Sequence, residues 1–66
     1  MAENFGFRLN FIRKSQELSE EDLARKAGIH AATIKRIERR GIRPNLSTVI
    51  KLADALGIQP SLLLGI

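Results

Sequence analysis

The chain has 66 residues, no cysteine, one histidine and a formal charge of +4, so it predicts one domain, residues 1–66, near the lower size limit for folding without crosslinks. With His30 alone, neither a disulfide framework nor a Cys/His metal cluster can be drawn, and no metal or cofactor is expected. Met1–Phe5 lacks the basic start and apolar run of a signal peptide, and no stretch approaches the ~18 apolar residues of a membrane span, which predicts a soluble, unprocessed, cytoplasmic protein.

In chain order, helical periodicity and its punctuation predict five short helices and no strand, an all-α fold. The first runs from about Asn4 to Gln16, with Phe5, Leu9 and Ile12 as its buried stripe. Ser19 followed by Asp22 is a capping-box pattern, and Glu20, Glu21 and Asp22 suit the positive end of a helix dipole, which opens a second helix over about 20–27. Gly28 supplies the left-handed residue for a sharp turn, Gly28-Ile29-His30. A third helix follows over about 31–39, with Ile34 and Ile37 facing inward and Ile29 packed under the turn. After the basic loop Arg40-Gly41-Ile42-Arg43-Pro44, Asn45 caps a fourth helix whose expected stripe is Leu46, Val49, Ile50, Ala53 and Leu56, ending at Gly57. Gln59-Pro60 starts a last turn through Leu62 and Leu63, with proline at a first helical position.

The charge is local. Residues 1–29 carry equal numbers of acids and bases, and residues 46–66 carry Lys51 against Asp54. Residues 30–45 hold Lys35, Arg36, Arg39, Arg40 and Arg43 against Glu38 alone. A positive field confined to one segment is the footprint of a phosphate-bearing partner. A merely solvated basic face is the bland reading, but it leaves the neutrality of the rest unexplained.

Two short helices joined by a glycine-containing turn match the geometry that lays one helix across a DNA backbone and the next in the major groove. On a wheel with about 100° per residue, Ala32, Lys35, Arg36 and Arg39 lie about 100–200° from Ile34, on the outward face, with Ala31 at its edge. Small side chains permit close approach, so Ala31 or Ala32 suits a thymine methyl, and Arg36 with Lys35 suits guanine O6 and N7. Ala31 and Ala32 could equally be plain helix formers. His30, Thr33, Arg39, Arg40, Arg43 and Asn45 are placed for phosphates, which fix register without reading sequence. His30 has no second ligand for a metal and no catalytic partner, and the glycines form no phosphate-cradling loop, so no enzyme is expected. RNA is a weaker partner than duplex DNA, because Phe5, Phe7 and Phe11 all lie on the first helix, away from the basic segment.

Leu18-Ser19-Glu20-Glu21-Asp22-Leu23-Ala24-Arg25-Lys26-Ala27-Gly28-Ile29, then Ile34-Lys35-Arg36-Ile37-Glu38-Arg39, Arg43-Pro44-Asn45-Leu46 and Leu52–Ile58 together resemble the lambda-repressor/Cro (XRE-type) family in its compact five-helix form. The resemblance implies a DNA-binding transcriptional regulator, a repressor above all. It implies a homodimer on a pseudo-palindromic duplex, nucleoid-associated in a bacterial or phage setting, with the third helix as recognition helix. It places base reading on Ala31, Ala32 and Arg36, with Lys35 and Thr33 adjacent, and a buried ion pair on Arg13 and Glu38, which makes Glu38 structural rather than a base reader.

Two features depart from the family pattern. Where the second helix typically begins with a glutamine that contacts the backbone, this chain has Glu20, and a carboxylate beside a phosphate is unfavourable. No DNA role is assigned to it; either the second helix sits differently or Glu20 acts against nonspecific binding. Phe7 and Phe11 lie opposite the Leu9/Ile12 face, where the family is usually polar. They form either a surface for a second subunit or other protein partner, or a patch covered by Leu64 and Ile66 folding back. The first choice supports an alternative function, an antitoxin-like or accessory interaction subunit with DNA binding secondary.

Overall fold

The computed structural model describes residues 4–66, and all its regular structure is helical. The order is α1 (Phe5–Ser15), α2 (Glu20–Ala27), α3 (Ala31–Arg40), α4 (Leu46–Leu56) and α5 (Pro60–Leu64). The reading of Met1–Glu3 as an unprocessed start lies outside the described residues.

Helix boundaries follow from side chains that satisfy orphan backbone groups. Asn4 Oδ1 accepts the Phe7 amide at 2.8 Å and Asn45 Oδ1 accepts the Thr48 amide at 2.9 Å, capping α1 and α4. Ser19 and Asp22 form a reciprocal capping box on α2. That helix stops where Gly28, at φ 71°, turns left-handed and the Ile29 amide donates back to the Ala24 carbonyl. α1 ends differently: Glu17 adopts the left-handed conformation without being glycine, and the Leu18 amide donates to the Arg13 carbonyl.

The core gathers one face from every helix: Phe5 and Leu9, Leu23 and Ala24, Ile34 and Ile37, Val49, Leu52, Ala53 and Leu56, and Leu63. α1 packs on α3 and α5, α2 on α3 and α4, and α4 on α5. Ile12, Ile29 and Leu64 lean on this core half-buried. The α4 stripe differs from the sequence expectation. Leu46 and Ile50 are exposed, and Leu52 is fully buried instead. Val49, Leu52, Ala53 and Leu56 follow the i, i+3, i+4, i+7 spacing of one face, whereas Ile50 sits about 100° off it and Leu46 occupies the first position of the helix.

Two contacts bind α1 to α3. Gly6 is buried, and a Cβ at that position would collide with the Ile37 carbonyl oxygen, so the helices approach to a distance only glycine permits. Beside it, Arg13 Nε and Nη2 donate to Glu38 Oε2 and Oε1 at 2.8 and 2.9 Å. The same carboxylate accepts Asn10 Nδ2 at 2.9 Å, and Arg13 Nη1 donates to the Leu18 carbonyl at 2.7 Å. Among the described residues no buried side-chain nitrogen or oxygen lacks a partner, the condition under which a buried ion pair is tolerated.

Candidate nucleic-acid interface

The face of α3 opposite Ile34 and Ile37 points to solvent. Ala32, Arg36 and Arg39 are exposed on it, Lys35 is half-buried at its flank, and Arg40 is exposed in the last turn on the side nearer Ile37. Ala31 is also half-buried and rests against the core, as one side of it must at the wheel position between the two faces. Thr33 is half-buried, and its amide bonds to the carbonyl of His30. His30 occupies the N-cap of α3 without making a side-chain cap bond and is exposed. An imidazole there is open to an external partner.

Beyond the C-terminus of α3, Gly41 at φ 68° reverses the chain into the exposed segment that carries Arg43 and Asn45. Asn45 commits Oδ1 to the α4 cap, which leaves its NH2 as donor. Arg39 and Arg40 lie in the last turn of α3, where the negative end of the helix dipole favours cations. The candidate residues from position 30 to 45 therefore lie on α3, its N-cap and the loop that follows it.

The cations differ in their partners. None of the ion pairs among the described residues involves Arg36, Arg40 or Arg43. Arg39 Nη2 lies 3.0 Å from Glu20 Oε1, and Lys35 Nζ lies 3.1 Å from Glu21 Oε2. A backbone amide and then the Lys35 ammonium hold the Glu21 carboxyl below its ordinary range. These two bridges were not read from the sequence. Both join α2 to α3 across the turn, so which acid meets which cation follows from how the two helices pack.

Glu38 stands apart from the basic face, its side chain almost wholly buried. Burial pushes its carboxyl up, but the hydrogen bonds from Arg13 and Asn10 outweigh that and hold it below the usual glutamate value. Glu38 in turn raises the Arg13 guanidinium, chiefly through the hydrogen bond between them. Both groups are charged and fully engaged within the fold, which leaves neither available for a ligand. Asn10 completes this network and was missed in the sequence, where it is one polar residue among several on α1.

Phe7 and Phe11 remain 53% and 66% exposed, and Ile66 is 90% exposed. The C-terminal segment does not cover them. Leu64 turns to the core instead, and Ile66 lies beside the two rings without burying them. Phe7, Phe11, Leu62 and Ile66 line an open groove of about 490 Å³ between α1 and α5.

No group of three His, Cys, Asp or Glu side chains that could hold a metal occurs among the described residues. No helix among them is long and apolar enough to cross a membrane.

Comparison with known proteins places this geometry. The helix-turn-helix family model matches residues 9–63. The immunity repressor protein of Bacillus phage phi105 is 42% identical over 60 residues, which is 91% of this chain and 42% of that protein; the chain thus spans less than half the length of this relative. Among solved structures, the restriction-modification controller protein C.AhdI from Aeromonas hydrophila aligns with a TM-score of 0.85 at 37% identity over 89% of both chains. The P22 c2 repressor protein, solved in complex with a synthetic operator, aligns with a TM-score of 0.86 at 27% identity over 96% of both. With its α2-turn-α3 unit and this match across most of its length, the chain belongs to the helix-turn-helix family, in the five-helix lambda-repressor/Cro (XRE) type.

Proposed function

We propose that residues 1–66 form one unit that binds double-stranded DNA sequence-specifically and acts as a transcriptional repressor, with α3 in the major groove. The observation that carries this reading is the exposed face of α3. It is the second helix of a helix-turn-helix, it presents small residues and then long cations, and it lies in the segment that holds the chain's whole excess charge. The similarity to a phage immunity repressor and to a repressor solved on its operator supports it.

In this reading Ala31, Ala32, Lys35 and Arg36 face base edges, with Arg36 placed to donate bidentately to guanine. His30, Thr33, Arg39, Arg40, Arg43 and Asn45 hold phosphates. One α3 spans only a few base pairs, so two copies related by a two-fold axis on a pseudo-palindromic site supply the specificity a repressor needs. The cytoplasm, at the nucleoid, is where such a protein works. The apolar groove at Phe7 and Phe11 is available to a second copy or to another protein, as an addition to DNA binding rather than a replacement for it.

Selection of bound duplexes from a random library tests the function and the dimer together. A two-fold motif with half-sites about 10 base pairs apart, or a multiple of that, is expected. Recovery of unenriched sequences would remove the sequence-specific reading.

A further inference from the structure

The two ion pairs on the basic face join groups of different standing. Glu20 is only 13% exposed and fixed on the first turn of α2, whereas its partner Arg39 is 64% exposed at the surface. The anchor is rigid and the cation can swing. Glu21, one residue further along α2, pairs with Lys35, but there the carboxylate is the more exposed partner, 58% against 39% for the lysine, so this second pair is the looser of the two. At this end of α2 the Ser19–Asp22 capping box engages the Ser19 and Asp22 amides.

We propose that Glu20, with Glu21 as a second member, is an electrostatic clamp against nonspecific duplex binding: Glu20 competes with phosphates for Arg39, and Glu21 competes with the duplex for Lys35. The proposal rests on the reading of α3 as a DNA-binding helix. A phosphate that engages Arg39 must draw it from Glu20 and meet the carboxylate left behind. On a duplex without the matching sequence, phosphate contacts are essentially the only favourable ones, so the clamp's cost falls fully on nonspecific binding. On a matching duplex the contacts of Arg36 and its neighbours to base edges offset that cost. The clamp therefore lowers binding to unmatched duplex, which has no base contacts to fall back on, while a matching duplex stays bound through them.

The test measures binding of the wild-type chain, Glu20→Gln, Arg39→Gln and the double variant to a mixed-sequence DNA duplex by fluorescence anisotropy across a salt series. Glu20→Gln keeps the size of the side chain and removes its charge, and thermal unfolding followed by circular dichroism verifies that each variant is folded. Glu20→Gln is expected to bind the duplex about fivefold more tightly and to steepen the slope of log K against log salt by about 0.9, the contribution of one further phosphate neutralised. In the Arg39→Gln background the same change is expected to leave the slope unaltered. Glu21→Gln, compared with and without Lys35→Gln, repeats the test at the second pair and serves if Glu20→Gln fails to fold.

An unchanged slope in both Glu→Gln variants would overturn the clamp. So would a gain that persists without Arg39 and without Lys35, since it would then reflect only the removal of a nearby negative charge. If the wild-type chain binds no duplex at any salt concentration, the DNA-binding reading itself fails and the clamp with it. Wild-type binding with inert variants overturns the clamp alone.

Discussion

Arg13 and Glu38 meet through two parallel hydrogen bonds of 2.8 and 2.9 Å, which tie the first helix to the C-terminal half of α3. The pair fixes the recognition-type helix against the body of the molecule from its inner side, so its effect on an interface is positional. Removing one partner leaves the other charged, buried and unpaired, which costs about 3–5 kcal/mol. Arg13→Ala and Glu38→Ala are each expected to lose stability on that scale in chemical denaturation. A double replacement by Met and Leu should recover much of it, because two apolar side chains leave no stranded charge.

The same carboxylate makes stability depend on acid. Glu38 has a folded-state value below its ordinary 4.5, so the stability it contributes is present above that ordinary value and is lost as pH falls through the folded one. Asp22, lowered chiefly by the Ser19 backbone amide, and Glu21 act in the same direction. The unfolding temperature is therefore expected to fall as pH is taken below about 4.5. In Glu38→Gln the starting stability is lower and the acid-dependent drop smaller. A variant that keeps the full wild-type pH dependence would remove Glu38 as a contributor.

Gly6 offers a purely steric test of the contact between α1 and α3. Glycine inside a helix ordinarily costs about 0.5–1 kcal/mol relative to alanine, so Gly6→Ala at an open site would stabilise. Here the added methyl meets the Ile37 carbonyl oxygen, and overpacking of that kind costs about 1–3 kcal/mol. A lower denaturation midpoint for Gly6→Ala is expected; a higher one would mean that the helices do not approach so closely.

The large elements were legible in the sequence because their causes are local. Caps at Ser19 and Asn45, the glycine at 28 and the spacing of Ile34 and Ile37 each act within a few residues, and the five helices follow from them. What escaped was set by tertiary context. Leu46 and Ile50 carry the same hydrophobicity as Leu52, and only the packing of α4 against its neighbours shows which of them lies over the core. Asn10, Glu20 and Glu21 acquired roles from partners 28, 19 and 14 residues away, distances that periodicity does not see. The sequence left open whether Phe7 and Phe11 were covered, and the direction of Leu64 decided it.

Within the DNA-binding reading, the exposed cations separate by role. Arg36→Ala should relax preference at one position of each half-site, at a cost of about 1–3 kcal/mol on the preferred duplex. Arg40→Ala and Arg43→Ala should weaken all duplexes alike and reduce the salt slope by about one each. Parallel duplex selections with wild type and the three variants distinguish them. An Arg36→Ala profile identical to wild type would withdraw its assignment as a base reader.

The most direct measurement is a titration of the isotopically labelled chain with a duplex containing its selected site, followed by amide chemical shifts. The largest changes are expected from His30 to Asn45 and in the first turn of α2, with the Phe7–Phe11 face of α1 changed only where a second copy packs against it. Shifts concentrated on α1 and α5, with α3 unaffected, would contradict the placement of α3 at the DNA.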